Sequence, residues 1–126
     1  MVRLLQALFV DPIWWTDPVY VDRRQAAATE PGAWESLAVA RFRSPLHPTR
    51  SQFGQPDDIK YENIDSPTLF VVGAQDLLRE PGYAEGPAAR IGDASIHVIE
   101  GVGHCPNIER PDTVARALLG FFARHA

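Results

Sequence analysis

The stretch Pro67-Thr68-Leu69-Phe70-Val71-Val72-Gly73-Ala74-Gln75-Asp76 decides the reading of this chain. Thr68 to Val72 is an unbroken run of apolar or β-branched residues without a charge. Such a run reads as a short strand buried on both faces, as in parallel sheets. It ends on Gly73, and a carboxylate follows three residues later. In open α/β sheets, ligand and catalytic groups sit just beyond the carboxyl ends of strands. Asp76 therefore stands where chemistry is done. A second strand is expected at Ala94-Ser95-Ile96-His97-Val98-Ile99, followed by Glu100-Gly101-Val102-Gly103-His104. Laid side by side in parallel, the two strands bring Asp76 and His104 to one edge. An acid that orients an imidazole is two-thirds of a nucleophilic triad.

Outward from these strands, the segment Gly82–Ile91 reads as a helix with a defect at Gly86-Pro87, so that it is kinked or begins late. Pro111-Asp112 opens a last helix. Val114, Ala117, Leu118, Phe121 and Phe122 form its expected apolar face. Strand, helix, strand, helix implies right-handed parallel crossovers. Two strands do not make an independently stable sheet, so more of the sheet is expected elsewhere.

The first half reads as helical. Leu4, Leu5, Leu8 and Phe9 share one side of a helix over residues 3–10, which Asp11-Pro12 stops. Ile13-Trp14-Trp15 is a packing cluster. Thr16-Asp17-Pro18 starts a second helix, with Thr16 as the cap and Val19, Ala26 and Ala27 on the buried side. Arg23 and Arg24 lie mid-helix and on composition alone read as a solvated basic pair. A third helix is expected at Ala33–Arg43, and Ser44–Asp58 reads as a linker. The division is thus a helical segment with linker at 1–58 and an α/β segment at 59–126.

Composition narrows the function. The chain has 126 residues, 45% hydrophobic and 22% charged, as in a globular domain. A net charge of −4 leaves no footprint for nucleic acid. The single cysteine and the lack of a leader pattern predict a cytoplasmic protein. No apolar run approaches the roughly 20 residues of a membrane span. The histidines and Cys105 show no zinc-type spacing, and there is no glycine-rich phosphate loop, so neither metal nor cofactor is expected. No serine (36, 44, 51, 66, 95) is flanked by glycines as in a Gly-x-Ser-x-Gly nucleophile elbow. Cys105 reads as an inert thiol.

Gly-x-x-Asp at 73–76, Gly-x-Gly-His at 101–104, Glu109-Arg110-Pro111 and the closing Leu118–Phe122 segment together resemble the C-terminal part of the α/β-hydrolase fold, over about residues 64–126. The helical first half resembles the cap (lid) inserted before these strands. Thr16-Asp17, Val21-Asp22-Arg23-Arg24 and Pro31 look most like the cap of meta-cleavage-product hydrolases, which cut carbon–carbon bonds in dienoates from aromatic-ring breakdown. The resemblance implies Asp76 as triad acid and His104 as base. It implies Arg23, or next Arg24, as binder of the substrate carboxylate. Cys105 stands where that family usually has tryptophan, which leaves esterases and other lidded hydrolases open. The half of the fold bearing the nucleophile elbow is not represented. The expected partners are therefore a small-molecule substrate in an intact parent, and either a second copy or the missing N-terminal half.

Overall fold

In the computed structural model, the structure describes residues 1–36 and 59–126. The described elements run α1 (Val2–Leu8), α2 (Ile13–Thr16), α3 (Pro18–Thr29), a 3₁₀ turn (Tyr61–Asn63), β1 (Thr68–Gly73), α4 (Glu85–Ala89), β2 (Ala94–Ile99), α5 (Pro106–Glu109) and α6 (Pro111–Arg124). Residues 33–36 are also helical. The rest of the third expected helix and all of the expected linker lie outside the described residues.

β1 and β2 pair in parallel, in register from Thr68 against Ala94 to Gly73 against Ile99. Both strands match the expected segments. The register places the Asp76 loop and the His104 loop at the same end. The expectation of burial on both faces is not met, because every residue of β1 is only half-buried. Among the described residues the sheet has two strands, so each has one neighbour rather than two. α4 packs on β2, and α5 and α6 pack on β1.

The helix over Gly82–Ile91 is shorter than expected and begins late, at Glu85. Gly82 takes a left-handed turn at φ 73°, which suits a residue without Cβ. Pro87 then falls in the first turn, where its missing N–H costs no intrahelical bond. In α6, Pro111 occupies the first turn as expected, but the apolar face is narrower than its spacing suggests. Phe121 is buried, while Leu118 is exposed and Phe122 is 60% exposed. A two-stranded sheet offers too narrow a surface to cover all five positions.

In the first half, α1 ends at Leu8 because Phe9 turns to extended backbone, φ −126° and ψ 145°. That turn aims Phe9 into a cluster with Trp14, stacked at 5.2 Å, and Tyr20, edge-on at 6.3 Å. The cluster expected around Trp14 is therefore a packing knot joining α1, α2 and α3. The cap of α3 is Asp17, not Thr16: its Oδ1 accepts from the Val19 N–H at 2.9 Å. Thr16 ends α2, and its hydroxyl donates back to the Pro12 carbonyl at 2.8 Å. Asp17 has the extended backbone a cap needs, φ −74° and ψ 109°. The expected buried side of α3 is exposed, with Val19 at 75%, and α3 buries no residue fully.

The core sits where the two halves meet. The two fully buried large side chains are Leu5 of α1 and Val102 of the loop after β2. The loop that carries His104 is tied to the end of the first helix, where the His104 N–H donates to the Leu8 carbonyl at 2.8 Å.

Candidate active site

β1 ends on Gly73, and the chain turns at once against the loop after β2. The Ala74 N–H donates to the Ile99 carbonyl at 3.0 Å, and the Gln75 N–H to Val102 at 2.9 Å. This approach requires glycine at 73, and the approach of the second loop to the end of α1 requires it at 103. A Cβ on Gly73 would fall on the carbonyl oxygen of Gly103, and one on Gly103 would stand 2.6 Å from the Leu8 carbonyl oxygen. The two loops are close because Gly73 has no side chain at the crossing.

That crossing aims two side chains at each other. Nδ1 of His104 lies 2.9 Å from Oδ2 of Asp76. The Asp76 side chain is 7% exposed and that of His104 is 34% exposed. A carboxylate only accepts, so a neutral imidazole in this pair carries its proton on Nδ1 and keeps a lone pair on Nε2. Nε2 forms no hydrogen bond among the described residues. The other oxygen of Asp76, Oδ1, accepts from the Leu78 N–H at 2.8 Å. Asp76 therefore caps its own loop and orients the histidine at once.

Two residues that the sequence did not single out hold this arrangement. Gln75 reaches across from the Asp76 loop. Its Oε1 accepts from Gly101 at 2.7 Å and Val102 at 3.2 Å, and its amide donates to Glu100 at 3.1 Å. Glu109, only 6% exposed, accepts the Gly103 N–H at 2.6 Å on one oxygen. On the other it accepts the Val10 and Asp11 N–H groups at 2.8 and 3.1 Å. The Glu109-Arg110-Pro111 motif was the available signal for Glu109. For Gln75, its place directly before Asp76 was the only one.

Arg23 does not touch the His104–Asp76 pair. Its guanidinium lies 5.5 Å above the Tyr20 ring. Arg23 and Arg24 both line an open groove of about 650 Å³, with Trp14, Tyr20, Ala27 and Ile108. Ile108 belongs to α5, directly after the His104 loop, so the groove runs between α3 and the histidine's own segment. Burial pushes the Cys105 thiol up, and the Glu109 and Asp76 carboxylates push the same way against Arg24. Cys105 is thus held protonated, as expected of an inert thiol. The charge of Arg24 is felt at the residue beside His104. A second groove of about 360 Å³ opens beside Asp76, over Val72, Ile96, Val98, Arg79 and Tyr83. The described residues contain no cluster of metal-ligating side chains and no helix long and apolar enough to cross a membrane.

Parallel strands that deliver an acid and a histidine from successive loops define an α/β-hydrolase architecture. The chain belongs to the alpha/beta hydrolase family, whose model matches residues 2–117. Esterase YbfF of Escherichia coli (strain K12) is 35% identical over 66 residues, which is 50% of this chain and 26% of that protein. Among solved structures, a mutant of the meta-cleavage product hydrolase CumD from Pseudomonas fluorescens IP01, complexed with acetates, superposes with a TM-score of 0.76 at 23% identity. The match covers 100% of this chain and 45% of that one. MGS-M2, an alpha/beta hydrolase enzyme from a Medee basin deep-sea metagenome library, gives a TM-score of 0.58 at 23% identity, covering 93% and 41%. The chain therefore has a partial α/β-hydrolase fold and spans less than half the length of these relatives.

Proposed function

We propose that this chain is the acid–base part of a lidded hydrolase that cuts an ester or carbon–carbon bond in a small carboxylate, such as a product of aromatic-ring breakdown. The observation that carries the reading is the 2.9 Å contact between His104 and Asp76 at the carboxyl ends of paired parallel strands. In this reading residues 1–58 are the lid with its linker, and 59–126 are the end of the hydrolase core. His104 Nε2 takes the proton of a nucleophilic hydroxyl, and Asp76 holds the tautomer and stabilises the imidazolium that forms. Arg23 pairs with the substrate carboxylate, and Arg24 is the next choice because its charge reaches Cys105. No metal or cofactor takes part. The single cysteine supports a cytoplasmic setting.

The nucleophile comes from outside the described geometry. Ser66 precedes β1 and Ser95 opens β2, at the amino ends of the strands, away from His104. Ser36 donates to the Gly32 carbonyl at 2.8 Å in the helical first half. The chain alone is therefore expected not to turn over p-nitrophenyl acetate. Mixed with a polypeptide that supplies the remaining strands and a Gly-x-Ser-x-Gly elbow, it is expected to do so, and His104→Ala is expected to abolish that turnover. Turnover by the chain alone, lost in His104→Ala, would place a nucleophile within it.

The second reading is a non-catalytic module that binds a second copy, a missing half or a small ligand. It is favoured by exposed apolar side chains beside the sheet, Leu77 at 75% and Val98 at 53%. Binding of benzoate without turnover in any mixture would support it.

A further inference from the structure

We propose that Glu109 is a positioning residue for His104, a buried carboxylate that locks the imidazole's loop to residues 8–11. The inference rests on the base role proposed above. Its test reads the pose of the ring rather than turnover, so the two can fail separately.

Among the described residues Glu109 is the only charged residue buried as a whole, backbone included. A charge removed from water is costly unless it is hydrogen-bonded. Here the compensation is entirely backbone: Gly103 on Oε1, and Val10 and Asp11 on Oε2. Arg110, next in sequence, does not pair with the carboxylate, since its guanidinium donates to the Glu109 carbonyl at 2.7 Å. Three inward donors on two oxygens suit a carboxylate, which is acceptor-only. A glutamine would offer one oxygen and turn two donors of its own toward backbone N–H groups.

The tie is doubled from the opposite direction. The His104 N–H donates to the Leu8 carbonyl at 2.8 Å. Residues 103–104 are thus fastened to 8–11 by a direct bond and by a shared acceptor. Gln75 also holds this loop, but it belongs to the Asp76 loop and fixes the two loops only to each other. Glu109 and Leu8 supply the external reference. The imidazole ring is gripped at Nδ1 alone, so its backbone must be fixed for the ring to meet Asp76. Displacements of about 1 Å are enough to break such a bond and to cost a catalyst on the order of 10²-fold.

The test is nitrogen and proton NMR of the His104 ring in the parent chain and in Glu109→Gln. The low-field Nδ1–H signal is followed together with amide exchange in β1. The expected result is loss of that signal, or at least about tenfold faster exchange with water, while β1 amides exchange within about twofold of the parent. An unchanged Nδ1–H signal in Glu109→Gln, with the Val10 and Asp11 amides deprotected, would overturn the proposal. If Glu109→Gln also frees the strands, the parent chain decides. The amides of Val10, Asp11 and Gly103 and the ring Nδ1–H are then expected to open with one common urea dependence. A dependence for Gly103 and the ring that differs from that of Val10 and Asp11 would overturn it.

Discussion

The imidazole of His104 and the carboxylate of Asp76 meet at 2.9 Å across the only paired strands described, and the carboxylate is the more buried partner. Its second oxygen is already committed to the Leu78 N–H, so Asp76 cannot rotate away without losing two bonds. Replacing it by asparagine keeps the size and adds a donor. In Asp76→Asn the amide donates to Nδ1 and drives the ring proton to Nε2, the wrong atom for a base. Ring nitrogen shifts are expected to report that tautomer change. In a reconstituted hydrolase, kcat is expected to fall by about 10⁴-fold, as for the equivalent change in other triads.

Gly73→Ala tests the crossing of the two loops. The added methyl would overlap the Gly103 carbonyl oxygen, and backbone gives way less readily than a side chain. The expected cost is about 1–3 kcal/mol of stability, in the range for overpacking. The same variant is expected to separate His104 from Asp76, which ring NMR would register beside a urea titration. Gly86→Ala is the control, since a Cβ there meets nothing within 4 Å.

Leu5→Ala addresses the packing of the first helix under the histidine loop. Leu5 is fully buried and lies far from the sheet in sequence. Its truncation is expected to cost about 2–5 kcal/mol. Val19→Ala, on the exposed side of α3, is expected to change stability by less than about 0.5 kcal/mol. Equal losses in the two variants would mean that α1 does not pack as described.

Cys105 sets a dependence on alkaline pH. Its folded pKa is raised by burial first and by Glu109 next, so the folded chain holds the thiol proton more tightly than the unfolded chain does. The associated stability is complete below the unfolded value. It is lost as pH rises through that value towards the folded one. Unfolding free energy is expected to decline from about pH 8.5 upward, and to decline less in Cys105→Ser. Iodoacetamide at pH 8 is expected to label the native chain more slowly than the urea-unfolded chain.

Much of the site was legible because it depends on local grammar. A charge-free run ending in glycine gave the first strand and the β-branched positions of residues 94–99 the second, and the loops after them contain Asp76 and His104. What was missed depends on partners distant in sequence. Glu109 has meaning only through N–H groups in residues 10, 11 and 103. Thr16 was read as a cap because threonine accepts well, but its backbone was already spent on α2, leaving the role to Asp17. Val19, Ala26 and Ala27 show that apolar spacing alone does not bury a helix face. Burial needs an opposing surface, and periodicity says nothing of one. Arg23 was singled out by resemblance alone, and its place over Tyr20 in the groove was not readable from spacing.

The Glu109 carboxylate joins residues 99 positions apart along the chain. The acid and the histidine, by contrast, are only 28 apart and belong to one contiguous strand–helix–strand unit. The entropy of closing a loop grows with the logarithm of its length, and each doubling adds only about 0.6 kcal/mol. Material inserted between residue 11 and the first strand therefore taxes the outer fastening slightly and the inner pair not at all. Such a layout leaves the intervening segment free to change in size and sequence without pulling the Asp76–His104 contact apart.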